Sequence, residues 1–549
     1  MHQLALGRGL CRPSLGNFRL PFTMPLFHRI PSFVLLAIGI FAAACGGGER
    51  PTLSPAKEPV QVAPRVITYE EFGAVGDGVT DDLPAIVAAH AFANENKLHV
   101  RTKPDAVYHL GTRNLTAVIQ TDTDWNTSRF IVDDSQGVQS RGQNIFRVTS
   151  RLQPASLRID SLASGQQRIE VPDLALDLFV VVENSNKRIF IRRGNNANSG
   201  TILSEAFILR RDGSIEGGID WDYETVTKVT ALPIDPEPLV LRGGVFQLIA
   251  NQAQPAVSNY WARNVSVQRS NTVVDGIKMT VSGEGDHGQP YVGSLYVQRA
   301  AHVTLRNCEV APRKFYQRVE ANGQRTSMGT YGVGAAYVAN FTMQHCRMDN
   351  IQDTSRWGVI ATNFMKNVLI EDSVLSRMDV HQGVSGHYTI RRTTLGHQGL
   401  LAVGRGLLLV EDSEIRANNL IGFRPDYGST WTGEVVVRNS HWVPTRRAGR
   451  TPAIFGGTND GMHNFGYPTS MPTTVTLDGL VIDDGWTKDN PTPGVTFFED
   501  IIGGSSDTRP FAHRLTEKVS VRNLTTSTGV APKISTNGQM NQAIPIERF

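Results

Sequence analysis

Arg377, Asp379 and His381 alternate with Met378 and Val380 in the stretch SRMDVHQG, Ser376–Gly383. On a β-strand, alternate side chains point to opposite faces. This spacing predicts a cation, a carboxylate and an imidazole in one outward row, with Met378 and Val380 turned inward. Such a trio can hold a base, orient it and neutralise an anion that develops beside it. The same trio on an ordinary strand is a solvated, mutually paired surface. A stack of strands that sets a groove beside the row distinguishes the two.

Composition points to strands. The chain has 549 residues, enough for a large core, and 52 of them are glycine. Val, Ile and Thr recur in short runs and long amphipathic helices are scarce, which reads as a mostly β protein with many turns. The 54 Lys+Arg against 51 Asp+Glu leave a net charge of +3. That excludes the basic footprint of a nucleic-acid-binding protein. Of four cysteines, Cys11 and Cys45 belong to the leader, so Cys308 and Cys346 form neither a disulfide framework nor a CxxC metal site.

The start reads as a targeting segment. His28 and Arg29 precede an apolar run from Phe33 to Phe41, followed by Ala42-Ala43-Ala44-Cys45. The run is short for a bilayer span. The segment resembles a bacterial lipoprotein signal over residues 1–44, which implies lipidation at Cys45 and a membrane anchor rather than a span. The alternative is an ordinary secretory signal cut nearby. Met1 and Met24 both offer a start. Residues 45–65 read as a flexible, proline-containing tether. Both readings place the protein outside the cytoplasm.

A repeat organises the rest. HVTLRNC from His302, NFTMQHC from Asn340, NVLIEDS from Asn367, HYTIRRT from His387, LLLVEDS from Leu407, EVVVRNS from Glu434 and, more loosely, TVTLDGL from Thr474 can be aligned. NVSVQRS from Asn264 is an earlier copy. In each, the second and fourth residues are apolar, and the seventh is Cys, Ser or Thr in all but the last. The steps shorten to 20 residues between Asn367 and Leu407. One turn cannot bury its inward face alone, but stacked turns can. This predicts a parallel β-helix over residues 66–549. It also predicts an internal ladder of Cys308, Cys346, Ser373, Thr393, Ser413 and Ser440. Residues 114–244 are less regular and read as first rungs with a strand-rich insertion. Asp133-Asp134 reads as a turn after FIV.

The stretch FGAVGDGVTDDLPAIVAAHAFAN, Phe72–Asn94, has Gly76-Asp77-Gly78 as a turn. Thr80 follows as N-cap of a helix that buries Ile86, Ala89, His90 and Ala93. Asp77, Asp81 and Asp82 are assigned to capping. This stretch resembles the N-terminal signature of the pectin-lyase-like superfamily of right-handed β-helices. The resemblance implies an all-β right-handed coil with a short N-terminal capping helix. KPDAVYHLG replaces the usual PxGxY ending, so the first rung is modified.

Counted from the repeat starts, Arg377 and His397 share an offset, as do Asp379, Gly399 and Asn419. Neighbouring strands lie about 4.8 Å apart, which predicts Arg377 beside His397, with room left by Gly399. GFRPDYGSTWTG supplies Arg424, Asp426, Tyr427 and Trp431 on the next rung, and DNIQDTSRWG supplies Trp357 on the preceding one. Aromatic rings suit apolar sugar faces, and carboxylates and guanidiniums suit hydroxyls and acids. RRAGR at 446–450 reads as a solvated loop and Asp286-His287 as a turn.

The family resemblance implies a polysaccharide partner. Two mechanisms fit. In β-elimination on a uronic acid, His381, His397 or Tyr427 acts as base or acid, and Arg377, Arg405, Arg424 or Ca²⁺ neutralises the carboxylate. In hydrolysis two carboxylates flank the bond, with Asp379 and Asp426 as the pair. Arg405, Arg424, Trp431, Trp357 and Asn419 are the expected substrate contacts. The motif set of polygalacturonase-type hydrolases is absent, since SGHY at Ser385–Tyr388 lacks its second glycine. DVH at Asp379–His381 echoes the Asp-Pro-His motif of β-helical epimerases. We therefore expect a monomeric, lipid-anchored or secreted polysaccharide lyase. A hydrolase and a non-catalytic carbohydrate-binding or adhesive β-helix are the alternatives.

Overall fold

The computed structural model describes residues 65–549 except 172, 195–198, 253–259, 287, 320–324, 358–359, 446–450, 491–492 and 504–508. It does not describe the side chains of 317–319, 325–328 and 360–362. The leader, Cys45, the tether up to residue 64, His287 and the 446–450 loop lie outside the described residues.

The repeats wind into a right-handed parallel β-helix. The second residues of the copies form one ladder in parallel register: Val303, Phe341, Val368, Tyr388, Leu408, Val435 and Val475, continued by Val519. The fourth residues form the next: Leu305, Met343, Ile370, Ile390, Val410, Val437, Leu477 and Val521. Both ladders are buried. Alternation puts them on the inner face, and burial of apolar area at roughly 25 cal/mol per Å² drives the stacking. The Asn264 copy differs. Val265 pairs with Leu295, and Thr272–Asp275 lies against Val303–Arg306. Both strands bury alternate apolar residues, so the sequence pattern does not separate them.

The seventh residue turns a corner. Asn307, His345, Asp372, Arg392, Asp412 and Asn439 precede it, all with φ between 42° and 54°. Asn, Asp and His tolerate this left-handed conformation better than most residues. Cys308, Cys346, Ser373, Thr393, Ser413 and Ser440 then point inward and are buried, as expected. Each amide donates to the hydroxyl of the next rung: Cys346 N to Ser373 Oγ (3.1 Å), Ser373 N to Thr393 Oγ1 (3.2 Å), Thr393 N to Ser413 Oγ (3.1 Å) and Ser413 N to Ser440 Oγ (3.2 Å). Cys308 and Cys346 are free thiols at the head of this ladder. Thr393→Val keeps the shape and removes the acceptor from a buried amide. We expect it to lower stability by about 1–3 kcal/mol in urea unfolding. An unchanged midpoint would mean that the ladder contributes packing alone.

The helix Leu83–Asn96 buries Leu83, Ile86, Ala89, His90 and Ala93. Its N-cap is Asp82, not Thr80. Thr80 belongs to the strand Asp77–Asp81, where its hydroxyl donates to Asp77 at 2.9 Å. The three carboxylates hold backbone amides. Asp77 takes those of Val79 and Thr80, Asp82 those of Val75 and Gly76, and Asp81 that of Gly111.

The insertion is narrower than the sequence suggests. Ala117–Ile119, Thr123–Asp124, Arg129–Asp133 and Phe146–Thr149 pair within the coil. The inserted part is a three-stranded antiparallel sheet in the order Thr201–Leu209, Leu178–Ile189, Lys228–Pro233. Its Phe179, Val181, Ala206 and Ile208 pack on Ala301 and Ala339 of the coil. Buried Lys366 fastens it, 3.1 Å from both Glu205 and Asp220. The turn after FIV is present, with Gly137 N donating to the Asp134 carbonyl at 2.9 Å and Ser135 N to Asp133 Oδ1 at 3.0 Å, but the Asp134 carboxylate turns inward. It is buried, 2.9 Å from Arg263 Nε and 3.0 Å from the Tyr291 hydroxyl.

Candidate functional site

The strand Val374–Arg391 carries the row that opened the sequence reading. Met378 and Val380 face the core, as expected. The opposite row is not open to solvent. Arg377 is 5% exposed, Asp379 0%, and only the His381 side chain, at 23%, reaches the surface. The row is covered by residues from other rungs. Tyr331 stands just before the strand Val333–Gln344. The Trp357 ring lies 4.7 Å from the Arg377 guanidinium. Arg424 and Tyr427 come from the turn Pro425–Tyr427, and Arg192 follows the inserted strand Leu178–Ile189.

Asp379 is the centre. Its Oδ1 accepts from Arg424 Nη1 at 2.7 Å. Its Oδ2 lies 2.9 Å from each of Arg377 Nη2, His381 Nε2 and the Tyr331 hydroxyl. Arg424 continues to Asp426 with two bonds, at 3.0 and 2.7 Å, and Arg192 Nε reaches the same carboxylate at 2.7 Å. Three guanidiniums thus alternate with two carboxylates. Burial works to raise the Asp379 pKa, but Arg377 and Arg424 hold it well below the usual range. Asp426 is also held low: burial opposes this, and Arg424 and Arg192 outweigh it. Burial lowers the His381 pKa despite the pull of Asp379.

The contact with Asp379 bears on the proton of His381. An ionised carboxylate only accepts. Its contact with Nε2 is a hydrogen bond when Nε2 carries the proton, which leaves the lone pair on Nδ1 of a neutral imidazole. The Tyr331 hydroxyl donates to the same carboxylate oxygen and lies 3.0 Å from Nε2. Burial raises the Tyr331 pKa, so it stays a phenol.

The turn that brings Arg424 and Asp426 has a local cause. Pro425 presets the backbone, and Gly428 takes φ 81°, where a β-carbon would meet Thr469 and Phe465. Tyr427 is buried and accepts from Gln382 at 3.3 Å. The inserted sheet docks on this turn, with Arg193 N donating to the Asp426 carbonyl at 2.9 Å.

The other expected site residues are dispersed. His397 is not beside Arg377. The register shifts after Leu375, Arg377 pairs with Gly399, and His397 N donates to Ile351 O at 3.0 Å. Arg405 packs its guanidinium 3.6 Å from the centre of the Trp221 ring and donates to the Asp220 carbonyl. Trp431 is fully buried, its Nε1 donating to the Gly406 and Glu434 carbonyls at 3.2 and 3.1 Å. Trp357 lies over Arg377 instead of forming an open wall. Among the described residues, no group of three or more His, Cys, Asp or Glu side chains is placed to hold a metal ion.

His397 and Asn419 line a separate cleft of about 930 Å³ over the following rungs. Gly422 and Gly456 pair on adjacent strands and form part of its lining. Glu499 and Asp500 line it as well, and so does Pro425, whose neighbours Arg424 and Asp426 belong to the ionic chain. Sequence reasoning missed Tyr331, Arg192, Glu499 and Asp500. The available signal for Arg192 was the pair of arginines ending KRIFIRRG. Tyr331 had none, because only stacking brings its rung to Asp379.

No protein family model and no curated protein matches the sequence. Several solved structures are similar. One is the tailspike protein gp49 from Pseudomonas phage LKA1, with TM-score 0.49 and 14% identity, over 87% of this chain and 84% of that one. Another is the Gp54 tailspike of Acinetobacter baumannii bacteriophage AP22, in complex with A. baumannii capsular saccharide. Its TM-score is 0.43 and its identity 9%, over 88% and 79% of the two chains. A third is a hyperthermoactive exopolygalacturonase from Thermotoga maritima, with TM-score 0.32 and 11% identity, over 89% and 91%. These are likenesses of fold.

Proposed function

We propose that the protein is a carbohydrate-active β-helix that cleaves a uronic-acid-containing polysaccharide by β-elimination. The observation that carries this reading is the Asp379–His381 pair. A buried, arginine-clamped carboxylate holds Nε2–H of a neutral histidine, whose Nδ1 is then the basic atom, on a side chain that is 23% exposed. In the step, Nδ1 takes the C5 proton, the C5 electron pair forms the C4–C5 double bond, and the C4–O bond breaks. The leaving oxygen is protonated by the imidazolium or by water. The excess cation of the cluster, with Arg192 the guanidinium nearest solvent, offsets the charge that builds on the uronate carboxylate.

Support for a saccharide comes from the neighbouring cleft, which has polar walls and a turn in common with the cluster. Hydrolysis by Asp379 and Asp426 fits less well. That reaction requires one protonated carboxyl, and arginines keep both groups ionised. The reading retains a monomer outside the cytoplasm, anchored through Cys45.

The test is a panel digestion of the purified protein with pectin, alginate, glycosaminoglycans and neutral glycans, with and without Ca²⁺. Absorbance near 235 nm and reducing ends are read together. Both signals are expected to rise on at least one uronic-acid polymer. Reducing ends alone would turn the reading to hydrolysis, and neither signal to non-catalytic binding.

A further inference from the structure

The cluster and the cleft share the turn Arg424–Tyr427 but differ in charge. Arg377, Arg424 and Arg192 make the cluster cationic. Among the described residues no Lys or Arg lines the cleft, whereas Glu499 and Asp500 do. Several of its polar groups are acceptors. Glu499 and Asp500 have no proton to donate when ionised. His397 Nδ1 lies 3.1 Å from the Ile351 carbonyl, so Nδ1 carries a proton, and in the neutral ring Nε2 is an acceptor. That Nε2 is buried and has no hydrogen-bond partner among the described residues. Asn419 spends its own N–H on the Ala453 carbonyl at 2.8 Å. The depth is built in. A β-carbon at Gly422 would lie 2.7 Å from Leu401, and one at Gly456 would collide with Asn419.

We propose that this cleft is a subsite for sugars without a carboxylate. The substrate is then a heteropolymer in which uronic acid units alternate with neutral or N-acylated sugars. This rests on the elimination reading above. Pro425 lines the cleft while Arg424 and Asp426, on either side of it, belong to the cluster. A uronate bound at the cluster therefore places its neighbour along the chain against the cleft. There a second uronate meets two carboxylates and, among the described residues, no Lys or Arg, in a partly enclosed site where charge is screened less than in water. Hydroxyl and amide N–H donors meet carboxylate acceptors instead.

The test is equilibrium binding of two hexasaccharides by titration calorimetry. One is an oligogalacturonate. The other is a hyaluronan fragment, in which glucuronate alternates with N-acetylglucosamine. Proteins are compared in a His381→Ala background, so that no substrate is consumed, with and without Glu499→Gln and Asp500→Asn. Both substitutions keep an oxygen to accept from the Gly457 and Gly503 amides. The alternating fragment is expected to bind at least about tenfold more tightly than the oligogalacturonate. The double substitution should raise oligogalacturonate affinity about tenfold and move the alternating fragment less than about threefold. Tighter or equal binding of the oligogalacturonate, a preference unmoved by the substitutions, or binding of neither fragment overturns the proposal. Failure of the elimination reading shows separately, as absent 235 nm absorbance from the unsubstituted protein on both polymers while the binding preference persists.

Discussion

His381→Ala is expected to lower the rate of unsaturated product formation by about 10³-fold, within the range of 10²–10⁴ for loss of a positioned general base. KM should change little, because the imidazole acts on the C5 proton more than on the bound sugar. The size of the effect follows from the arrangement. Asp379 cannot substitute as base, since it is fully buried and both its oxygens are engaged. Tyr331 cannot either, since burial raises its pKa. The pH profile gives a second readout. The base works when neutral, and burial lowers the His381 pKa from the ordinary histidine value. The acidic limb of kcat/KM should therefore fall below pH 6.5, with the rate level through neutral pH. A variant that keeps more than a tenth of the wild-type rate, or an acidic limb well above 6.5, would count against His381 as the base.

Much of the coil was legible because the physics that fixes it is local and repeated. Apolar second and fourth residues, and a small seventh residue after a left-handed position, recur in the six copies from His302 to Glu434. Ser373 and Thr393 meet their hydroxyl partners because of that period. The site was legible only in part. Arg377, Asp379, His381, Arg424 and Asp426 were all named from the sequence, and the structure joins them in one chain of ion pairs. Their exposure was misjudged. Alternation tells which side of the sheet a residue faces. It does not tell what lies on that side, and here Tyr331, Trp357 and the turn at Pro425 cover it. His397 was misplaced for a different reason. Counting offsets assumes strict register, and the strand shifts between Leu375 and Arg377. Arg192 was hidden by distance, because it reaches Asp426 through a sheet inserted far earlier in the chain.

Asp379→Ala is expected to destabilise the fold by about 3–5 kcal/mol, the usual cost of leaving a buried charge without its partner. The loss would exceed that of the Thr393→Val change because one buried guanidinium loses its carboxylate partner and a second loses one of two, where Thr393→Val strands one amide. Arg377 is already short of partners. Its Nε and Nη1 are buried with no hydrogen-bond partner among the described residues, so its ion pair with Asp379 is its main electrostatic compensation beside the Trp357 ring. Arg424 would retain Asp426. A second substitution, Arg377→Met, should therefore recover part of the loss in the Asp379→Ala background, while in the wild type it is itself destabilising. The pH dependence carries a definite sign. The folded-state pKa of Asp379 is depressed, so its contribution is complete above the unfolded carboxylate value of about 3.9 and is lost as pH falls through the much lower folded value. The gap in urea stability between wild type and Asp379→Ala should be constant from pH 5 to 8 and close only in strong acid. A gap that is small at neutral pH, or that widens on acidification, would show that Asp379 is not the anion that holds the two arginines in place.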